Sequence, residues 1–308
     1  MPLSFFVPAE PAPDDPDSTD GPAGTAGTAG TGGTDAWSPT DAACSLWSDD
    51  HLHGVAVSGF LARAAEAEVA ARGRDDLRAA RWTVDLFRPA RRRVTRARVQ
   101  VVRESARLCL VDVELVQDTD DGTEVAARAS GLFLRAGEPA GGAVWEPEGA
   151  PEPPPADLAP PTDRPRLPLF RSEGVGWHSS FAEHQNPGRK TTWQVGVPVV
   201  PGERPSGFVA AASVADVASM VTNWGDRGIE QINTDITLTL ARAPQGVEIG
   251  LEAADRVSAD GIAVGTATVF DRAGRLGSAV VTSVSNAKRA VDLTGGDPAE
   301  DPRMQRGV

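Results

Sequence analysis

Apolar residues recur at two spacings along this chain, and the two spacings follow each other in a fixed order. From Ser58 to Arg72, Phe60, Ala64 and Ala67 fall at helical spacing among Ala, Leu, Arg and Glu, and Gly73 follows as a stop, so the pattern predicts a helix. Four runs with mostly period-two apolar positions come next: Trp82 to Phe87, Val94 to Arg103, Leu108 to Val116 and Thr123 to Arg135. That period puts alternate side chains on one face, as in a half-buried strand. The connection Asp118-Thr119-Asp120-Asp121-Gly122 is polar and ends in glycine, which reads as a turn.

The same order returns in the second half. A strand-like Thr192 to Val199 precedes a helix from about Val209 to Trp224, and strands are predicted near Ile232 to Ala241, Val247 to Val257, Ile262 to Phe270 and Leu276 to Ser285. Thr83-Val84-Asp85-Leu86-Phe87-Arg88-Pro89 is echoed by Thr237-Leu238-Thr239-Leu240-Ala241-Arg242 followed by Ala243-Pro244, each just after its helix. An internal duplication of about 100 to 120 residues accounts for this better than two unrelated domains.

A helix followed by antiparallel strands buries both apolar faces only if the sheet covers the helix, which makes each half an α+β unit with the element order of a hotdog fold. Two such units joined edge to edge remove two exposed strand edges, so the predicted architecture is a double hotdog. Residues 8 to 36 are rich in Pro, Asp, Gly, Thr and Ala and bury too little apolar surface to order themselves. Gly137 to Asp163, with Pro151, Pro153, Pro154, Pro155, Pro160 and Pro161, predicts a stiff extended connector. The expected layout is a mostly disordered segment 1–36, an N-terminal hotdog 37–135, a Pro-rich linker 136–167, a C-terminal hotdog 168–286 and a flexible tail 287–308.

Composition narrows the function classes. The 308 residues carry 43 acidic and 30 basic side chains for a net charge of −13, and the longest basic run is Arg91-Arg92-Arg93, which argues against nucleic acid as a partner. Cys44 and Cys109 are the only cysteines and provide neither a disulfide framework nor a metal pattern, in keeping with a reducing, cytoplasmic setting. No apolar run approaches the roughly 18 residues of a membrane span, and Met1 to Glu10 lacks the pattern of a signal peptide, so no membrane insertion is expected. No G-x-S-x-G elbow occurs, which argues against serine-hydrolase chemistry. His51 and His53 beside Asp49 and Asp50 fit no standard metal spacing, so neither metal nor cofactor is expected.

Trp47, then His51-Leu52-His53-Gly54-Val55-Ala56 and Phe60-Leu61-Ala62-Arg63-Ala64, resembles the Trp, His-Gly and Leu-x-Arg-Ala signature at the first helix of acyl-CoA thioesterase-like double-hotdog proteins. Trp193 with Val197-Pro198-Val199-Val200-Pro201-Gly202-Glu203 is similar to their second-domain opening strand. Ala215-Asp216-Val217, Asn223-Trp224 and Ile232-Asn233-Thr234-Asp235-Ile236-Thr237 are similar to the helix and strand that follow. The resemblance covers about residues 37 to 135 and 168 to 286. It implies hydrolysis of an acyl-CoA thioester to free acid and CoA by the type II acyl-CoA thioesterase mechanism, in which an Asp, a polar residue before the next strand's Asp and a Gln on the last strand hold and activate a water. Asp216 and Asn233 match the first two positions, Asn standing where the type II enzyme has Thr. The Gln position falls on Thr282, or on Val281 if the register is one residue off, and no Gln is present there.

Read from its own helix, Asp216 lies opposite the stripe of Val214, Val217, Ala218 and Val221, with Ala212, Ser219 and Asn223. Periodicity alone makes it a carboxylate on the non-core face; in a paired double hotdog that face approaches the other unit. His53-Gly54 opens the first helix, where glycine permits close approach of an acyl group and free N–H groups of a helix end suit a thioester oxyanion, making His53 and Gly54 the candidate substrate-binding residues. The missing Gln keeps an alternative in view, a non-catalytic acyl-CoA binding protein on the same fold. A hotdog dehydratase ranks below both, since only His53 lies near a relevant helix. The sequence is compatible with a homo-oligomer and fixes neither that state nor the acyl length.

Overall fold

The computed structural model describes residues 3–10 and 36–294. The first half contributes short strands β1 (Phe6–Pro8) and β2 (Trp37–Pro39), helix α1 (Gly54–Ala71), and strands β3 (Leu77–Asp85), β4 (Thr95–Glu104), β5 (Leu108–Thr119) and β6 (Gly122–Arg135). The second half opens with β7 (Leu169–Ser172), β8 (Val175–His178), the single turn α2 (Phe181–His184) and β9 (Lys190–Val195). Helices α3 (Gly207–Val214) and α4 (Ala218–Asn223) lead to three short strands, β10 (Trp224–Gly225), β11 (Gly228–Ile229) and β12 (Gln231–Asn233). The long strands β13 (Asp235–Leu240), β14 (Glu248–Ala259), β15 (Ile262–Asp271) and β16 (Gly274–Ser285) close the fold.

Among the described residues the long strands form one antiparallel sheet that runs unbroken through both halves. Its central order is β4-β5-β6-β3-β13-β16-β15-β14-β9. The halves meet at β3 and β13, where Thr83 lies opposite Thr237 and Trp82 opposite Leu238. The two sequence echoes therefore pair with each other, so the duplicated segments form the seam. Trp82 and Leu238 are both fully buried there.

Both long helices lie on the same side of the sheet and pack on each other through small residues. Ser58 Oγ donates to the Ala212 carbonyl at 2.6 Å and accepts from Trp82 Nε1 at 3.0 Å. A Cβ at Gly59 would overlap the Ser213 hydroxyl, so glycine sets how closely the helices approach. On the sheet side, Cys109, Val111, Val113 and Leu115 of β5 alternate with more exposed residues and face α1, so Cys109 is a core side chain.

Departures from the expected elements have local causes. β3 starts five residues before Trp82 because a bulge between Ala79 and Arg81 breaks the period-two pattern. The helix expected over 209–224 is interrupted by a 3-10 turn at Ala215–Val217, and the strand expected from Ile232 divides at Thr234 into β12 and β13. The linker lacks regular strands and is exposed over much of its length, yet it is anchored at points: Pro151, Pro154 and Ala159 are buried, and Arg272 donates to the Ala159 carbonyl at 2.7 Å. At the C-terminal end, Val291 bridges Ile229 and Leu293 is buried. The rest of that expected tail, and residues 11–35 of the expected disordered segment, lie outside the described residues. No described helix is long and apolar enough to cross a membrane.

Candidate active site

The first turn of α1 belongs to one half and reaches the middle of the second half's helical segment. His53 is the N-cap: Nδ1 accepts the Ala56 N–H at 3.0 Å and Nε2–H donates to the Ala42 carbonyl at 2.8 Å. Burial pushes its pKa below the usual histidine value, so both ring nitrogens are committed to holding a neutral imidazole in place. His53 lines the cavity as a structural side chain and fixes the helix end that follows it.

Gly54 comes next, and its lack of a side chain is a steric requirement. A Cβ there would overlap the Asp216 carboxylate, which lies directly against the helix end. The Val55 N–H, one of the first helical N–H groups with no intrahelical acceptor, donates to that carboxylate. Asp216 itself sits in the 3-10 turn between α3 and α4, a local tightening of the kind that often accompanies a functional position. Asn233 of β12 completes its surroundings, donating Nδ2–H to Asp216 Oδ1 at 2.8 Å.

These contacts leave Asp216 with opposing influences. Burial raises its pKa, the bonds from Asn233 and the Val55 N–H lower it, and burial wins, leaving the carboxyl at about 6. The non-core face read from periodicity is therefore not a solvated face. Ala212, Ser219 and Asn223, which share it, are all buried, because α1 and the cavity cover that side. Asp216 is ionised at neutral pH while remaining more basic than an ordinary aspartate.

Asp216, Asn233, His53 and Val55 line one cavity of about 290 Å³. Its other walls are largely apolar, including Phe5, Phe170, Phe181 and Met220. Pro165 to Pro168 form part of the wall, so the end of the linker helps to shape the site. Among the described residues no cluster of three or more His, Cys, Asp and Glu side chains is placed to hold a metal ion.

Thr282 is not brought to this cavity. On β16 its neighbours Val281 and Ser283 are both fully buried and point to the helix side, which turns Thr282 to the opposite face, across from the 42% exposed Val264. Its contribution is through the backbone: its N–H donates to Asp235 Oδ1 at 2.6 Å and its carbonyl accepts from the Thr234 N–H at 2.9 Å. The alternative register, Val281, faces inward but is apolar, and the next inward position, Ser283, is engaged by Asn223 at 3.2 Å. The expected third member of the water-holding group is thus corrected, because strand alternation places it on the wrong face.

The structure also brings in residues that sequence reasoning did not single out. Gln231 and Gln194 line the cavity, as does Arg166 of the linker, which pairs with Glu248 at 3.2 Å. Gln231 stands two positions before Asn233 on one strand, a signal that was present in the sequence. The linker residues carried none, since nothing local says that a Pro-rich segment returns to a site.

Two helix-and-sheet units sharing one sheet, with a half-buried carboxylate at their junction, define a double hotdog protein. Solved structures share this fold at low sequence identity. The tesB protein of Mycobacterium avium subs paratuberculosis is 17% identical, with a TM-score of 0.55 over 76% of this chain and 87% of that one. A hot dog fold protein of unknown function from Alicyclobacillus acidocaldarius is also 17% identical, with a TM-score of 0.56 over 82% and 92%. The acyl-CoA thioesterase II TesB2 of Mycobacterium marinum is 14% identical, with a TM-score of 0.52 over 75% and 90%. No curated protein sequence matches the chain. Residues 45–134 match the acyl-CoA thioesterase N-terminal domain and residues 146–281 the C-terminal domain, together most of the chain. The chain belongs to the acyl-CoA thioesterase family.

Proposed function

We propose that this protein hydrolyses an acyl-CoA thioester to the free acid and CoA, with Asp216 as the base that activates water. The observation that carries this reading is the Asp216 carboxylate, held between the α1 N-terminus and Asn233 in the wall of a largely apolar cavity, with a pKa near 6. A base with a pKa just below neutrality is mostly ionised at pH 7 and still accepts a proton readily. In this reading Asp216 takes a proton as the water oxygen bonds to the thioester carbonyl carbon. The C–S bond then breaks, and the CoA thiolate recovers that proton. The Gly54 N–H, at the first helical position and so without an intrahelical acceptor, belongs to the backbone that would meet the oxyanion.

One observation favours a second reading, an acyl-CoA binding protein without turnover: Thr282 faces away from the cavity, so Asp216 and Asn233 lack the third group that the family resemblance implies. Asp216→Asn separates the two. Asparagine keeps the size and an acceptor for Asn233 but cannot take a proton, so hydrolysis should fall by about a hundredfold to ten-thousandfold while acyl-CoA binding persists. CoA release is followed with a thiol reagent and binding by calorimetry over a range of chain lengths. A wild-type protein that binds acyl-CoA with no turnover at any chain length replaces the enzyme reading with the binding one.

A further inference from the structure

Gln231 is a cavity-lining side chain whose amide has an unmet hydrogen-bonding need. Its Oε1 is buried and accepts no hydrogen bond within the protein. Gln194, the other glutamine in the wall, differs: its amide donates to Thr192 Oγ1 at 3.3 Å. A buried acceptor without a partner is unfavourable in the folded protein, and nothing in the fold requires an amide here, because β12 is tied to β16 through its backbone, Gln231 opposite Ser285.

Its position relates it to the base. Strand alternation puts Gln231 and Asn233 on one face of β12, roughly 6.6 Å apart along the strand. Asn233 is the residue bonded to Asp216. A glutamine side chain is long enough to span that gap, and Gln231, Asn233 and Asp216 line the same cavity. A water attacking a carbonyl has two hydrogens. One goes to the base, and the other is best held by a second acceptor, which fixes the direction of the oxygen lone pair.

Resting on the reading of Asp216 as base, we infer that Gln231 accepts the hydrogen of the attacking water that is not transferred, and so aims that water at the thioester carbonyl. The water oxygen bonds to the carbonyl carbon, one proton passes to Asp216, and the C–S bond breaks with the thiolate leaving. The hydrogen held by Gln231 stays on the new carboxyl group until that acid ionises.

The test compares Gln231→Leu, Gln231→Glu and Asp216→Asn by thiol release, with calorimetric binding of a non-hydrolysable thioether analogue of the substrate. Gln231→Leu should lower kcat by about ten- to a hundredfold, with KM and analogue binding within about twofold. Gln231→Glu keeps an acceptor, so kcat at high pH should recover to within a few-fold of wild type. Its added negative charge beside Asp216 should move the acidic limb of the pH profile upward. Wild-type kcat in Gln231→Leu, a loss confined to KM, or an unmoved limb in Gln231→Glu would overturn the assignment. Should Gln231→Leu fail to fold, the kcat and limb of Gln231→Glu decide it. Inactive Asp216→Asn with fully active Gln231→Leu sinks the Gln231 assignment alone, whereas active Asp216→Asn, or wild type without turnover, sinks the reading beneath it.

Discussion

Gly54 and Asp216 touch across the junction of the two halves: the carboxylate of one occupies the space that a side chain on the other would fill. The first turn of α1 thus serves as a seat for a charge supplied by a different part of the chain, with the Val55 N–H donating to it. Helix ends favour negative charge, which offsets part of the cost of burying Asp216.

Replacing Gly54 with alanine should be destabilising, against the helix preference of the residues alone. Propensity favours alanine by up to about 1 kcal/mol in a helix. Overlap with Asp216 should reverse that sign and cost about 1–3 kcal/mol, as overpacking does. It should also lower kcat at least tenfold by displacing the proposed base. Denaturant unfolding and thiol release measure the two effects; a stabilised, fully active Gly54→Ala would refute the contact.

The pH dependence of both rate and stability should carry the signature of Asp216. Activity should rise with pH through an acidic limb near pH 6, where the carboxyl ionises. Stability should move the other way. The folded pKa of about 6 lies above the ordinary 3.8, so the native state holds a proton that the unfolded chain has already lost. The corresponding stability is present below about pH 4 and declines as pH rises through 6, by about 3 kcal/mol in total. Asp216→Asn should remove that decline, so that in denaturant titrations the variant gains about 3 kcal/mol relative to wild type between pH 4 and 7.

Asn233→Ala should shift the acidic limb further up. The Asn233 bond lowers the Asp216 pKa, and removing it leaves burial less opposed. A pH–rate profile of the variant with its limb unmoved or moved downward would contradict the arrangement.

Thr282 should be indifferent to catalysis. Its side chain is on the outer face of β16, so Thr282→Val and Thr282→Gln should both keep kcat and KM within about twofold of wild type. A gain of activity in Thr282→Gln would mean that the strand's faces are the reverse of those described.

Calorimetry should find one acyl-CoA site per chain. Asp216 stands nine positions after Gly207 at the start of α3, and the residue nine positions after Gly54 in α1 is Arg63, which is paired with Glu203 at 2.7 Å. The pseudo-symmetric location therefore presents a cation already in an ion pair, and the carboxylate nearest the start of α3, Glu66, is already engaged by the Ser206 hydroxyl at 2.8 Å. Two equivalent sites would contradict this.

Much of the fold was legible because it rests on periodicity: the long strands and α1 follow alternation and helical spacing, and the echo around Thr83 and Thr237 marked the seam. The interruption at Asp216 was not legible, since Val214 to Val221 reads as continuous helix and only the opposing α1 end explains the tight turn. Asp216 and Asn233 were found through resemblance, and the structure brings them to hydrogen-bonding distance. Thr282 was misplaced because a one-residue difference in strand register exchanges faces. Gln231 passed unnoticed although its spacing from Asn233 was legible, because its unpartnered amide oxygen shows only in the folded chain.

The seam between β3 and β13 also separates two inheritances. Had this protein remained a pair of identical chains, every helix start would need to seat a carboxylate and every second helix turn would need to supply one. Joining the copies end to end lifted that obligation. In the proposed reading the first copy could specialise as the cradle, keeping His53 and Gly54, and the second as the reagent, keeping Asp216 and Asn233. Each half then answers to one set of demands instead of both, so the two halves are free to diverge while the proposed chemistry stays in one place.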